Sequence, residues 1–137
     1  MAKSITEVMT TNVRACEPNA TVAEAAKLMA KEDVGPIPVV EEGRLVGLIT
    51  DRDIVVRVVA NDKDPKTTTV GQIASSDLVT VSPQENLDDA LTLMAERQVR
   101  RLPVVEGDRL VGIVAQADIA RIGKDKKTGE VVEEISR

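Results

Sequence analysis

The fold is decided by the stretch Leu45-Val46-Gly47-Leu48-Ile49-Thr50-Asp51-Arg52-Asp53-Ile54, in which an apolar strand runs directly into the start of a helix. A near copy begins 65 positions later, at residue 110 against residue 45: Leu110-Val111-Gly112-Ile113-Val114-Ala115-Gln116-Ala117-Asp118-Ile119. The same offset holds without a gap from about residue 5 to residue 57. It pairs Pro18 with Pro83, Leu28-Met29-Ala30 with Leu93-Met94-Ala95, Val34 with Val99, Pro38-Val39-Val40-Glu41 with Pro103-Val104-Val105-Glu106, and Arg44 with Arg109. The chain is therefore two copies of one unit.

Length and composition indicate a soluble globular protein. The chain has 137 residues, 42% of them apolar and 30% charged, and a half of roughly 55 residues is marginal alone, so we expect the copies to share a core. No apolar run approaches the ~20 residues of a membrane span, and the N-terminus lacks the apolar segment of a signal peptide. Cys16 is the only cysteine, which excludes an intramolecular disulfide and favours a cytoplasmic location.

The residue types that are missing exclude several functions. The chain has no histidine, which rules out a histidine-based catalytic triad and a histidine-ligated metal. It has no Phe, Tyr or Trp on which nucleic-acid bases could stack, its net charge is −5, and no basic stripe is visible. Nucleic acid and membrane are therefore not expected as partners, and an enzyme is the least favoured function.

Local signals predict the order β-α-β-β-α in each copy. Short strands are expected at Val13–Cys16 and Leu78–Val81, and capping motifs at Thr21 and Asn86 open the longer helices. We expect a first repeat with its linker at residues 1–68, a second repeat at 69–123, and a charged tail at 124–137. Glu130 to Ile135 could add a further helical turn.

The apolar residues of the return strand and of the helix that follows it give two further predictions. The return strand Leu45–Ile49 is apolar without alternation, which predicts burial of both its faces. The helix from Ile54 to Ala60 is apolar nearly all round, which predicts a homodimer through its surface, with Val58 as a candidate contact. Its counterpart in the second copy is more polar and is expected to stop at Gly123.

The order of elements, the h-P-V-V-[DE] strand, the G-h-h-[TS]-x-x-D-h turn and the tandem copying resemble a pair of cystathionine β-synthase (CBS) domains, over about residues 5 to 123. With no catalytic domain attached, the chain is similar to the small stand-alone CBS-pair proteins of the hypoxic response type. The resemblance implies an α/β fold whose two repeats pack about a pseudo-twofold axis. It also implies adenine-nucleotide clefts between the repeats, and dimers that form a flat disc.

The turn Thr50-Asp51-Arg52-Asp53 has two interpretations. In one, the Thr50 hydroxyl caps the following helix and Asp53, three residues on, completes a capping box. In the other, the helix start accommodates an anion and a carboxylate accepts hydrogen bonds from a ribose diol. The resemblance implies that Asp53 takes the ribose hydroxyls and that Thr50 lies near ribose or phosphate.

The remaining contacts of this first cleft are expected from both copies. The resemblance implies that a basic residue at Arg100 or Arg101 reaches the phosphates; adjacent residues of an extended segment point opposite ways, so only one of them should face the cleft. The alternative for the arginines is a solvated surface. Adenine is expected among Val13, Val34 and Ile37, read by backbone groups of Thr11, Asn12 and Val13, although Val and Ile are core residues by default.

The second cleft is expected to be weaker. Ala115 replaces the threonine, Asp118 keeps the carboxylate, and Gly35-Pro36 stands where the arginines are and supplies no cation. This cleft is therefore predicted to be empty, weak, or used for a ligand without phosphate.

Three functions compete. The leading one is a regulatory module that binds AMP, ADP or ATP and signals to a regulated protein whose identity the sequence leaves open. The second is an interaction or dimerisation module with a vestigial site, and the third is an enzyme. S-adenosylmethionine, NAD or a cyclic dinucleotide stay open as ligands.

No cofactor is required, and no metal is expected. The acidic pair Asp88-Asp89 lies in the first turn of a helix, where negative charge is favourable, and a metal site there is only a remote alternative. Cys16 is expected to be a buried apolar residue rather than a redox centre.

Overall fold

The described structure repeats one order of helices and strands. The computed structural model describes the backbone of residues 4–126 and the side chains of residues 4–121. After a 3₁₀ turn at Ile5–Glu7, the elements are α1 (Val22–Glu32), β1 (Ile37–Glu41), β2 (Arg44–Ile49), α2 (Asp51–Asp53) continued by a π-helix (Ile54–Val59), α3 (Val70–Ile73), α4 (Leu87–Arg97), β3 (Arg101–Glu106), β4 (Arg109–Ala115) and α5 (Gln116–Lys126). Helix, strand, strand and helix thus occur twice, and the predicted α/β class is confirmed.

The two long helices begin at the predicted caps. The Thr21 hydroxyl accepts from the Glu24 N–H (3.1 Å), and the Glu24 carboxylate accepts from the Thr21 N–H (3.0 Å). In the second copy the Asn86 side chain accepts from the Asp89 N–H at 2.8 Å. These bonds satisfy N–H groups that have no partner within the helix. Three or four residues therefore suffice to predict where each helix begins.

Each long helix buries one narrow apolar stripe. In α1 the buried residues are Val22, Ala25 and Met29, whereas Ala26 is exposed. In α4 they are Leu87, Ala90 and Met94, and Leu91 is only partly buried. In both helices positions i, i+3 and i+7 are buried, whereas the i+4 position is exposed in α1 and partly buried in α4.

Packing divides the described chain into two units that do not coincide with the two sequence copies. The 13–79 unit also contains residues 107–110, and the 80–126 unit comprises residues 4–12, 80–106 and 111–126. The short turn that leads each copy therefore groups with the unit built mainly from the other copy. This exchange of leading turns between the two units is visible in their backbone hydrogen bonds.

The leading turns make equivalent hydrogen bonds in the two units. In the 80–126 unit, the Ile5 N–H donates to the Glu85 carbonyl at 3.0 Å. In the 13–79 unit, 65 positions on, the Val70 N–H donates to the Ala20 carbonyl at 2.7 Å. Ile5 and Val70 are both fully buried, so each leading turn contributes an apolar side chain as well as a backbone bond.

The 13–79 unit is organised around the antiparallel pair of β1 and β2. Ile37 lies opposite Ile49, and the connecting turn places both Glu42 and Gly43 at positive φ (53° and 82°), a conformation that glycine adopts at little cost. Arg44 of β2 pairs with Arg109. The core of this unit consists of Cys16, Val22, Ala25, Met29, Ile37, Val39, Ile49, Val58, Val70 and Ile73.

The 80–126 unit repeats the arrangement around β3 and its neighbour β4. Thr10 forms a backbone bridge with Ile113, in which each N–H donates to the other carbonyl (2.8 and 2.9 Å). The close approach leaves no room for a side chain at Gly112, whose Cβ would lie 2.9 Å from the Thr10 carbonyl oxygen. The buried apolar residues of this unit are Ile5, Val81, Leu87, Ala90, Met94, Leu102, Val104, Val114 and Ile119.

The first predicted strand of each copy is reduced to a single bridge. Cys16 bridges Val39, and Val81 bridges Val104, both in the parallel sense. The prediction of strands at Val13–Cys16 and Leu78–Val81 was therefore wrong in extent. Only the last residue of each segment is buried, so a longer ladder would gain little apolar burial.

Two further predictions about the apolar segments were wrong. In β2, Gly47 and Ile49 are buried but Val46 is 40% exposed, so the strand alternates rather than burying both faces. Gly123 does not end α5, which continues to Lys126; one interior glycine costs a helix only about 1 kcal/mol. The suggested turn at Glu130 to Ile135 lies outside the described residues.

The helix after Asp53 is apolar as predicted but is not a regular α-helix. From Ile54 to Val59 it is a π-helix, and the Ala60 N–H reaches back five residues to the Val55 carbonyl (2.9 Å). Five of its six residues are β-branched, which disfavours α-helical packing. Among the described residues, no helix has both the length and the apolar character needed to cross a lipid bilayer.

Candidate functional site

The turn from β2 into α2 holds Thr50 and Asp53 in a reciprocal capping box. Ile49 ends the strand fully buried, and Thr50 takes an extended conformation (φ −117°, ψ 163°) before the helix begins. The Thr50 hydroxyl accepts from the Asp53 N–H at 3.1 Å, and the Asp53 Oδ2 accepts from the Thr50 N–H at 2.9 Å. The structural interpretation of this turn is confirmed.

The capping box uses only part of the Asp53 carboxylate. Its side chain is 18% exposed, and Oδ1 lies 4.0 Å from the Arg57 Nε, too far for a hydrogen bond. A carboxylate offers about four acceptor positions, and the capping box takes one of them. Among the described residues, Oδ1 accepts no hydrogen bond, so Asp53 can cap the helix and still accept from a ligand.

Arg57 is a residue of this site that was not predicted from the sequence. Its Nη1 donates to the carbonyl of Ile73, the last residue of α3, at 2.9 Å. The i,i+4 spacing from Asp53 is a recognised signal for side-chain pairing on a helix and could have identified the residue. The contact with Ile73 lies 16 positions away and leaves no local pattern in the sequence.

The other predicted residues of the 13–79 unit differ in their surroundings. A Cβ at Gly35 would lie 3.0 Å from the Asp51 Oδ1, so Gly35 borders the start of α2 and a larger side chain there would displace Asp51. Val13, Val34 and Pro36 are partly buried. Ile37 is 1% exposed and packs in the core. The roles of Val13, Val34 and Ile37 in binding adenine stay predictions.

The 80–126 unit contains Thr11, Asn12, Arg100, Arg101, Ala115 and Asp118. Thr11, Asn12 and both arginines are exposed, and the Arg100 carbonyl accepts from the Gln116 N–H at 2.8 Å, which places Arg100 beside the start of α5. Within the described residues, neither arginine side chain has an ion pair or a hydrogen bond. Their role as phosphate ligands stays a prediction.

Asp118 differs in its contacts from Asp53. Its Oδ1 accepts from the Arg121 Nη2 at 2.8 Å, three residues along α5. Ala115 has no hydroxyl with which to form a capping box. The two carboxylates therefore occupy equivalent places in sequence but have different partners.

Cys16 is held as a structural residue. Its N–H donates to the Pro38 carbonyl (2.9 Å) and its carbonyl accepts from the Val40 N–H (2.8 Å). Burial raises the pKa of the Cys16 thiol above its ordinary value, and the nearby negative charge of Glu24 raises it further. A raised pKa disfavours the nucleophilic thiolate. Across residues 4–121, no group of three or more His, Cys, Asp or Glu side chains is arranged to hold a metal.

Comparison with known families gives a match that spans both copies. The model of the CBS domain matches residues 5–60 and again residues 70–125. These two ranges follow the sequence repeat, and each includes the leading turn that packs in the other unit.

Similar proteins cover nearly the same part of the chain. The CBS domain-containing protein YhcV of Bacillus subtilis is 49% identical over 117 residues, which are 85% of this chain and 83% of that protein. Hypoxic response protein 1 of Mycobacterium tuberculosis is 40% identical over 116 residues, 84% of this chain and 81% of its own. The predicted similarity to the hypoxic response type is confirmed.

Solved structures agree with the fold. The structure of Hypoxic Response Protein I with two coordinated zinc ions has a TM-score of 0.79 and 38% identity, covering 88% of this chain and 98% of its own. The CBS domain pair of MJ0100, in complex with 5′-methylthioadenosine and S-adenosyl-L-methionine, has a TM-score of 0.79 and 29% identity, covering 93% of this chain and all of that one (100%). That pair therefore binds two adenosine-containing ligands.

Proposed function

Because the chain belongs to the CBS domain family, with two tandem repeats, we propose that it is a regulatory module that binds AMP, ADP or ATP in a cleft between those repeats. Its role is to sense the ligand and pass the change to a regulated protein, rather than to catalyse a reaction. The adenosine moiety of both ligands in the MJ0100 pair supports the choice of an adenosine-containing compound.

The observation that carries the proposal is the free acceptor capacity of Asp53. Oδ2 is engaged by the Thr50 N–H, and Oδ1 accepts no hydrogen bond from the described residues, although the carboxylate is mostly buried. A ribose diol supplies two adjacent hydroxyl donors, and a carboxylate accepts them well. We therefore assign the ribose to Asp53, with the Thr50 hydroxyl beside it.

The phosphates are assigned to the arginines. Arg100 and Arg101 are exposed, and their planar guanidinium groups match phosphate oxygens in a bidentate manner. The first copy has Gly35-Pro36 at the corresponding positions and offers no cation. One strong nucleotide site per chain is thus expected, with the Asp118 site weaker or empty.

A thermal shift measurement tests the proposal against its competitor. Each of AMP, ADP, ATP, S-adenosylmethionine and NAD is added at increasing concentration to the full chain. An adenine nucleotide at about 100 times its Kd should stabilise the fold by about 2.7 kcal/mol, a rise in Tm of roughly 5–10 °C. No rise with any of the five would favour an interaction module with a vestigial site, and turnover of ATP would favour an enzyme.

The assembly we propose is a homodimer through the exposed face of the π-helix. Val55, Val56 and Val59 are 58%, 48% and 62% exposed, an apolar surface that a second copy would cover. Val58 is fully buried in its own unit. The prediction of Val58 as a candidate dimer contact is therefore wrong, because the side chain does not face outward and a charge there would disrupt the core first.

Substitution on the exposed face should weaken the dimer without unfolding the chain. Val59→Glu and Val55→Glu are expected to shift the molecular mass measured by light scattering from dimer to monomer at tens of micromolar protein. Val46→Glu, on an exposed valine of β2, is the matched control and should leave the mass unchanged. A parent protein that is already monomeric at this concentration would contradict the assembly.

A further inference from the structure

The Arg57 side chain connects the candidate ribose ligand to a second element of the same unit. Its Nη1 donates to the Ile73 carbonyl at 2.9 Å, while its Nε lies 4.0 Å from the Asp53 Oδ1. Ile73 ends α3, where carbonyl groups lack partners within the helix and a cation is favoured. The guanidinium is thus held at one end by a backbone hydrogen bond and faces the free carboxylate oxygen at the other.

These contacts are part of a closed ring of contacts within the 13–79 unit. Two residues after Ile73, Ser75 forms a backbone bridge with Leu48, in which each N–H donates to the other carbonyl at 2.9 Å. Leu48 lies in β2, two residues before Thr50. The contact ring therefore consists of Leu48, Thr50, Asp53, Arg57, Ile73 and Ser75, and it joins the strand end, the capping box and α3.

We propose that Arg57 is a positioning residue that orients the Asp53 carboxylate for its ligand and links that carboxylate to α3. The proposal rests on the assignment of the ribose to Asp53. Without Arg57, only the bond from the Thr50 N–H to Oδ2 restrains the carboxylate, and Oδ1 has to be ordered when the ligand binds. Ordering a group in advance raises affinity because binding no longer bears that cost.

The second copy lacks this arrangement. The position equivalent to Arg57, 65 residues on, is Ile122. Asp118 is hydrogen-bonded instead to Arg121, whose Nη2 lies 2.8 Å from Oδ1, so an arginine there occupies the oxygen that is free in Asp53. The contact ring is therefore a property of the first copy, the one with the more complete set of candidate ligands.

A double-mutant cycle with adenosine tests the positioning role. Adenosine has no phosphate, so a direct attraction between Arg57 and the ligand is removed from the measurement. Arg57→Met keeps the apolar stem of the side chain and should weaken adenosine binding about fivefold or more. In the Asp53→Asn background the same change should have little further effect. Arg57→Lys, which keeps the charge, should recover part of the loss.

The control and the contrary results separate this proposal from the proposed function. Arg52→Met removes the same charge from an exposed neighbour in α2 and should leave adenosine binding unchanged. Equal losses from Arg57→Met in the parent and in Asp53→Asn would overturn the positioning role, as would no loss in the parent. If Asp53→Asn itself binds adenosine as tightly as the parent, the proposed function fails instead.

Hydrogen exchange measures the link to α3. The Ala74 amide donates to the Val70 carbonyl at 2.8 Å and reports the closing turn of that helix. Saturating adenosine should slow its exchange in the parent but not in Arg57→Met at matched occupancy. Equal slowing in both proteins would show that α3 responds to the ligand without Arg57 and would overturn the link. This comparison does not depend on the affinity of either protein.

Discussion

Asp53→Asn is expected to weaken AMP binding at least about tenfold, and over 100-fold if both hydrogen bonds to the ribose are lost. Each charge-assisted hydrogen bond contributes roughly 1.5–3 kcal/mol, and 1.4 kcal/mol corresponds to a factor of about ten in affinity. Asparagine lacks the negative charge and replaces one acceptor oxygen with a donor. Isothermal titration of the variant beside the parent measures the difference.

The same variant should fold nearly as well as the parent. The asparagine side-chain oxygen can still accept from the Thr50 N–H, and the Thr50 hydroxyl still accepts from the backbone N–H of residue 53. We therefore expect a Tm within a few degrees of the parent in the absence of ligand. Unchanged AMP affinity would contradict the assignment of the ribose to Asp53. A large loss of Tm would show that the carboxylate is needed for the capping box itself.

Ile5→Ala is expected to lower the free energy of unfolding by about 2–5 kcal/mol. Its side chain is fully buried, and truncating a buried isoleucine loses both transfer free energy and packing around the cavity that remains. A loss of this size is a large part of the 5–15 kcal/mol that holds a typical domain together. Denaturation in urea, followed by circular dichroism, measures it.

The position of Ile5 makes this a test of the exchanged leading turns. Its N–H donates to the Glu85 carbonyl, so the residue belongs to the 80–126 unit although it lies at the start of the first copy. Val8→Ala, in the same turn but only partly buried, is the control and should cost clearly less. If Ile5→Ala were as stable as the parent within about 0.5 kcal/mol, the leading turn would not be part of that unit's core.

Features that depend on a few neighbouring residues were predictable from the sequence. The capping box of Thr50 and Asp53 needs only a hydroxyl and a carboxylate three residues apart, and the starts of α1 and α4 follow the same logic. The repeat itself is visible because the offset of 65 residues is unbroken. The family was indicated by a resemblance that rests on the order of elements, two short motifs and the tandem copying together.

Features that depend on packing between distant residues were not predictable. The exchange of leading turns pairs Ile5 with Glu85 and Val70 with Ala20, and no local pattern indicates which copy a turn will join. The contact between Arg57 and Ile73 is of the same kind. Val58 is the buried residue of the π-helix, and a segment that is apolar nearly all round carries no periodic pattern from which its buried face could be predicted.

Titration of AMP into the parent, Asp53→Ala and Asp118→Ala tests the central claim most directly, because it counts the sites and identifies the carboxylate that holds the ligand. We predict one strong site per chain in the parent, nearly unchanged affinity in Asp118→Ala, and loss of most of the binding in Asp53→Ala. Equal losses from the two substitutions, or no binding of AMP to the parent at millimolar concentration, would contradict the account.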